Sequence, residues 1–259
     1  MSYAQDLGLQ TALITNGTRL DKVEQEAVRG TWLRISLDAA CEPTYEITHR
    51  NQMANSWARV LHNIERVVRL REQLKTQVNI GVGFVVQQAN WGEILTVSNL
   101  AYNLGVDNIR ISALFTPEGP RYHQAYAKAA MEMARIAETS FGGSGFTVHN
   151  RLNEKLSDLS GPPNYARCYY QQFTTYLGAD ANLYRCCVQS YNPRGLLGNV
   201  VEAGGFKKLW DSIAASGNLE TFDARGCQRC QFNDRNGSIA AGVRGDTKLD
   251  GPVAHPFFV

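Results

Sequence analysis

Apolar residues along the chain alternate between short continuous runs and stretches where they recur every three or four positions. Residues 10–16, QTALITN, predict a buried strand, and Asn16-Gly17 ends it with a turn signal. Leu20, Val23 and Ala27 then share one helix face, with Gly30 just past its end. Residues 31–37, TWLRISL, predict a second strand. Residues 39–55 contain Pro43 and read as less regular. Trp57, Val60, Leu61, Ile64 and Val68 predict a long helix, capped by Asn55 or Ser56. A third strand, VNIGVGFVV over 78–86, is nearly all apolar, as suits a parallel sheet covered on both faces. Asn90 and Glu93 have capping-box spacing for a helix with Ile94, Val97, Ala101 and Leu104 on one stripe, closed by Gly105. DNIRISAL over 107–114 is a fourth strand, a helix is expected over 121–139, and FTVHN over 146–150 is one more strand.

This alternation implies an α/β fold of right-handed βαβ units in a parallel sheet, open or curled into a barrel. The character changes after residue 150. NRLNEKLSDLSGPPNYAR reads as a linker with two prolines. Beyond Cys168 periodic helices are scarce, one being expected over 203–215 with Phe206, Leu209 and Trp210. The apolar tail DGPVAHPFFV is expected to pack back on the body. The expected division is a first domain over 1–150, a linker over 151–166 and a small loop-rich domain over 167–259. A domain of that kind gains most from a metal staple.

Composition adds limits. A net charge of +2 without a basic run gives no footprint for a nucleic-acid partner. MSYAQDLGLQ has neither the positive start nor the apolar centre of a signal peptide, and no window approaches a membrane span. A cytoplasmic, reducing location is the expectation, without a membrane partner. That location changes how the cysteines read. Five of the six lie beyond residue 167: Cys168 alone, Cys186-Cys187 together, and Cys227 and Cys230 as C-Q-R-C. In a reducing compartment clustered thiols favour soft-metal ligation, either zinc or an iron–sulfur cluster. Disulfides or packed core thiols are the plainer reading. A thioredoxin-type pair would open a helix directly after a strand, whereas GCQRCQFNDRNG reads as a turn-rich loop.

Ligand sites in parallel α/β folds gather at the C-terminal ends of strands. Three such ends are polar here: Thr15-Asn16-Gly17-Thr18, Ser36-Leu37-Asp38 and Gln87-Gln88-Ala89-Asn90. Singly each reads as a turn or a cap; together they describe a polar ligand rim. No Ser-His-Asp order, phosphate loop or dinucleotide fingerprint is present. His49, His62, His123, His149 and His255 lack metal-ligand spacing and read as surface or satisfied core residues. Arg34, Arg50 and Arg110 are candidate anchors for an anionic substrate, with surface arginines as the plainer reading.

LGLQTALITNGTRL followed by WLRISLDA resembles the middle strands of a radical S-adenosylmethionine enzyme barrel. VNIGVGFVVQQANWGEI and LGVDNIRISAL continue the resemblance through two more βα units. The lone cysteine, the LYRC station, the GNV…FKKLW segment and the final C-x-x-C resemble that family's twitch or SPASM-type extension. Gaps of 18, 41 and 3 residues separate Cys168, Cys186, Cys227 and Cys230. Four stations fit the one-cluster twitch version.

The resemblance covers nearly the whole chain. It implies a partial (βα)6-type barrel, from about the third strand onward, followed by a small α+β cysteine domain. Asn16 and Gly17 match the T-N-G turn, and Ser36 and Asp38 the S-L-D segment, both beside the bound S-adenosylmethionine. Cys168, Cys186, Cys227 and Cys230 match the ligands of an auxiliary iron–sulfur cluster, expected as 4Fe–4S, with Cys187 an alternative to Cys186. Cys41 has no counterpart.

The family's C-x-x-x-C-x-x-C loop, which holds the catalytic 4Fe–4S cluster, and its G-G-E-P strand are absent from residues 1–259. No catalytic residue is therefore assigned. The expectation is an N-terminally truncated chain, inactive as it stands. A catalytically silent homologue and a structural zinc protein are the other readings. The complete family members cleave S-adenosylmethionine reductively to a 5′-deoxyadenosyl radical, which takes hydrogen from the substrate. The implied partners are a small-molecule, sugar or peptide substrate and an electron donor such as flavodoxin or ferredoxin.

Overall fold

A computed structural model describes residues 1–49, 55–143 and 145–246. The described residues form two compact units, the first over Met1–Ser157 and the second over 158–246.

The first unit runs α1 (Ser2–Asp6), β1 (Ala12–Thr15), α2 (Glu24–Val28), β2 (Trp32–Ser36), α3 (Glu42–His49), α4 (Ser56–Leu74) and β3 (Asn79–Val86). It continues with α5 (Ile94–Asn103), β4 (Asn108–Ala113), α6 (Pro120–His123), α7 (Ala127–Phe141), β5 (Thr147–Asn150) and α8 (Leu152–Asp158), whose last residue falls past the division. The five strands are parallel and lie in sequence order. Strand order never reverses, so right-handed crossovers carry every linking helix to the same face of the sheet. That is the winding of a barrel wall. Among the described residues the sheet is open, with β1 and β5 as its edges.

Period-two alternation sorts each strand's side chains. Leu33, Ile35, Ile80, Val82, Phe84, Ile109 and Ile111 are fully buried on one face. The sheet is contacted by α2 at β2, by α5 at β3 and β4, and by α7 at β5. Each such side chain contributes about 1.5–3 kcal/mol relative to exposure. The opposite face is polar. Its rows follow from the register: Ile14, Arg34, Gly81, Asn108 and Thr147 in one, and Ser36, Gly83, Arg110 and His149 in the next. Gly81 is required there, because a Cβ would overlap the Asn108 amide, whose Nδ2 donates to Asn79 Oδ1 at 2.7 Å.

Several elements differ from expectation. Residues 42–49, expected to be irregular, form α3. Pro43 is its second residue, where the missing N–H removes no intrahelical bond. Asn55 precedes α4 at φ +55° without a side-chain cap bond, since capping requires an extended residue at that position. The helix expected over 121–139 is broken between α6 and α7. There His123 is held at both ring nitrogens: Nε2 donates to Leu114 O at 3.0 Å and Nδ1 accepts from the Tyr126 hydroxyl at 2.9 Å. The first half of the expected linker is helical, as α8.

The second unit contains a three-stranded antiparallel sheet of β6 (Tyr176–Leu177), β7 (Asn182–Tyr184) and β8 (Leu196–Asn199). Two helices follow, α9 (Phe206–Ala215) and α10 (Asn233–Arg244). Its small core is Leu183, Leu209, Ile213 and Leu219, with Trp210 packed against it. Phe206, expected on the buried stripe of α9, is 47 % exposed and stacks on Trp210. NDRNG, expected as part of a turn-rich loop, is the first turn of α10. Arg50 and the tail from residue 247, including His255, lie outside the described residues. No helix among the described residues is long and apolar enough to cross a membrane.

Candidate metal centre and strand-end rim

The cysteines of the second unit sit on segments tied together by backbone and amide bonds. Arg167 bridges Asp223 in antiparallel fashion, and the Ala224 N–H donates to Ala166 O at 2.7 Å. This lays the Cys168 segment beside the 3-10 turn Ala224–Gly226 that leads into Cys227. Asn236 of α10, 2 % exposed, fixes the other side. Its Oδ1 accepts from the amides of Tyr169 at 2.7 Å and Tyr170 at 3.2 Å, and its Nδ2 donates to Arg167 O at 3.2 Å. Cys186 follows β7 in an extended conformation and opens the 3-10 turn Cys187–Gln189. Cys230 Sγ accepts from the Phe232 amide at 3.3 Å and lies 3.6 Å from the Tyr165 hydroxyl, which donates to Asn233 Oδ1 at 2.9 Å.

Cys168, Cys186, Cys227 and Cys230 line one apolar cavity of about 390 Å³, mouth included, shared with Tyr165, Tyr170 and Phe232. Cys187 is outside this lining; it is exposed, and its sulfur accepts from Gln231 Nε2 at 3.1 Å. Cys41 belongs to the first unit, where its sulfur lies 3.4 Å from Thr44 Oγ1 and 3.5 Å from Glu93 Oε1. All six cysteines are free thiols.

Burial pushes the Cys186 thiol up to about 12 and raises those of Cys168 and Cys227 as well. Two guanidinium groups oppose this, Arg185 at Cys168 and Arg194 at Cys227. Arg185 is buried, donates to Gln171 Oε1 at 2.7 Å and lies over the Phe222 ring at 4.4 Å. Arg194 lies over the same ring at 4.9 Å and donates to Asp223 O. Gly226 leaves room for it, since a Cβ there would overlap the guanidinium. A site of this kind holds neutral thiols until metal arrives, and metal binding expels their protons.

Among the described residues no three His, Cys, Asp or Glu side chains close around a single ion. A zinc shell requires each sulfur about 2.3 Å from one centre. A cluster takes its cysteines on separate irons and suits thiols spread around a cavity wall.

The strand ends of the first unit form a second polar locus. Asn16 Oδ1 accepts from the Thr18 amide at 3.2 Å and hydroxyl at 2.9 Å, a local turn that leaves Asn16 exposed. Gly17, at φ +76°, packs against Ile35 and Val60, and its carbonyl accepts from Asn63 Nδ2 at 2.8 Å. Ser36 ends β2. Asp38, at φ +47°, turns its Oδ1 onto the Val85 amide at 2.6 Å, and its Oδ2 is 3.7 Å from His49 Nε2. Burial raises the Asp38 carboxyl above its ordinary range, against the opposing pull of the Val85 amide and His49.

Asn90 and Glu93 form no capping box. Asn90 Nδ2 donates to Asp38 O and to Val85 O, both at 2.9 Å, and its Oδ1 accepts from the Gln87 amide at 2.8 Å. Glu93 Oε2 accepts from the Ala40 amide at 2.7 Å. The two side chains stitch the loop after β2 to the loop after β3, satisfying backbone groups that neither loop pairs internally.

Arg185, Arg194, Asn236 and Tyr165 had no part in the sequence reading. Only Arg185 carried a signal, being adjacent to Cys186 in LYRC.

No protein-family model matches the chain, and no curated protein matches it. A similar solved structure is described as histidine-tagged anSMEcpe with bound AdoMet. It is 14 % identical over 90 % of this chain and 70 % of that chain, with a TM-score of 0.45, an overlap too loose to carry a functional argument.

Proposed function

We propose that Cys168, Cys186, Cys227 and Cys230 hold an auxiliary iron–sulfur cluster, expected as 4Fe–4S, in a twitch-type second unit. The strand-end rim of the first unit belongs, in this reading, to the S-adenosylmethionine site of a radical enzyme. The substrate is a small molecule, a sugar or a peptide, and electrons come from a donor such as flavodoxin or ferredoxin. One observation carries the reading: cysteines from three separated segments line one apolar cavity. A bound cluster supplies one-electron chemistry or a substrate ligand. The chain's own residues enclose it, hydrogen-bond the Cys230 sulfur through the Phe232 amide, and set Arg185 and Arg194 against the thiolates. At the rim, Asn16 and Ser36 offer side-chain oxygens, Gly17 keeps the turn tight, and Asp38 positions the loop through Val85. The family's catalytic cluster loop is not within residues 1–259, so no radical step is assigned to this chain.

Anaerobic reconstitution with iron and sulfide tests the reading. About four irons per chain and a brown charge-transfer absorbance are expected. Cys227→Ala or Cys230→Ala abolishes both, and Cys41→Ala leaves both unchanged. Stoichiometric zinc with no visible absorbance overturns the cluster and favours a structural zinc protein.

A further inference from the structure

One buried oxygen in the wall of the cysteine cavity has no hydrogen-bond partner among the described residues. It is Oε1 of Gln189, which lines the cavity together with Cys168, Cys186, Cys227 and Cys230. Gln189 closes the 3-10 turn Cys187–Gln189, and its backbone amide donates to Cys186 O at 3.2 Å, which ties it to that station. The residue is 6 % exposed. The other polar side chains of the wall are engaged. Tyr165 donates to Asn233 Oδ1 at 2.9 Å, and Tyr170 accepts from Arg235 Nη1 at 2.9 Å. Arg229 donates to Leu159 O at 3.3 Å, and Asn236 holds three backbone groups.

A buried amide oxygen without a donor is a net cost to folding, and an apolar side chain of similar size avoids it. Nothing in the chain offsets that cost at Gln189, whereas an occupant of the cavity can. Half a turn about the last side-chain torsion exchanges Oε1 for Nε2, so the same position presents a donor. Thiolates and sulfides are acceptors only. An N–H group bonded to their sulfur favours the reduced, more negative state and so raises the potential.

We propose that Gln189 is a positioning residue of the loaded site, donating its side-chain N–H to a cysteine thiolate or bridging sulfide and setting the reduction potential. The proposal rests on the cluster reading given above.

The test uses the full chain, reconstituted anaerobically with iron and sulfide, as wild type, Gln189→Leu and Gln189→Met. All three are expected to bind equal iron. A dye-mediated redox titration is expected to place both variants below wild type, by roughly tenfold in the ratio of reduced to oxidised cluster, about 59 mV for one electron. Pulsed electron paramagnetic resonance of the dithionite-reduced protein, with nitrogen-15 in glutamine side chains only, is expected to show a nitrogen coupling that both variants lose. The metal-free variants are expected to melt at or above the wild-type temperature, because no bond within the chain is lost. Circular dichroism checks folding, and the methionine variant carries the test if the leucine variant does not fold. Equal potentials in wild type and a folded variant of equal iron content overturn the proposal. So does a lower melting temperature in both metal-free variants, which makes Gln189 a plain packing residue. Failure of wild type to take up iron overturns the cluster reading and this inference together, whereas a normal cluster with an unmoved potential overturns this inference alone.

Discussion

Replacing Asn236 by Leu removes three hydrogen bonds from the loop that presents Cys168. The amides of Tyr169 and Tyr170 and the carbonyl of Arg167 lose their partner at a position 2 % exposed. Each buried group left unpaired costs about 1–3 kcal/mol. The loop can shift to let water reach these groups, so the lower end applies, about 1 kcal/mol each and about 3 kcal/mol together. Amide hydrogen exchange over residues 168–172 reads this directly, because 3 kcal/mol corresponds to roughly two orders of magnitude in the opening equilibrium. Asn236→Asp keeps the acceptor for both amides and loses only the donor to Arg167, so it should produce a smaller loss of protection. Both effects should appear in the metal-free chain, and reconstituted iron should fall in the same order. Unchanged exchange at Tyr169 and Tyr170 in Asn236→Leu would refute the claim that this side chain holds the Cys168 station.

Three further outcomes rest on the geometry. Gly226→Ala forces the Arg194 guanidinium off its seat and should cost about 1–3 kcal/mol as overpacking, with lower iron retention; urea unfolding followed through Trp210 fluorescence, with the other tryptophans replaced, measures it. The raised Asp38 carboxyl contributes stability that is fully present below the ordinary aspartate value, about 3.9, and is lost as pH rises through its folded value, so Asp38→Asn should flatten that slope in thermal unfolding while keeping the Val85 bond. On the reading proposed for the strand-end rim, Ser36→Ala should weaken S-adenosylmethionine binding by about 0.5–1.5 kcal/mol in calorimetry without changing the melting temperature, and wild-type affinity would leave Ser36 as a plain strand end.

The parallel strands were legible because burial on the helix side is nearly complete. Ile80, Val82, Phe84 and Val86 announce β3 by themselves, and the spacing of Ile94, Val97 and Ala101 announces α5. Local rules misled where a side chain had a distant partner. Asn90 and Glu93 stand at the spacing of a helix cap, yet each reaches a backbone group about fifty residues away on the loop after β2. In the second unit the cysteines marked a site by type alone, whereas the residues that assemble it did not. Asn236 holds the loop of a cysteine 68 positions earlier in the chain, and no periodicity encodes such a pairing. The choice between Cys186 and Cys187 was likewise closed to sequence. The structure shows only that Cys186 lines the cavity and that Cys187 is exposed.

The open side of β1 has a practical consequence. Among the described residues this strand pairs only with β2, and it carries Ile14 at 59 % exposure, with no lysine, proline or bulge along its four residues. Those are the devices by which sheets discourage a second chain from adding to their margin. Concentrated samples of the chain should therefore self-associate through this strand. A charge at its centre, as in Ile14→Lys, should raise the solubility limit and narrow the size distribution in light scattering, leaving the cysteine cavity of the second unit to be studied on a monodisperse protein.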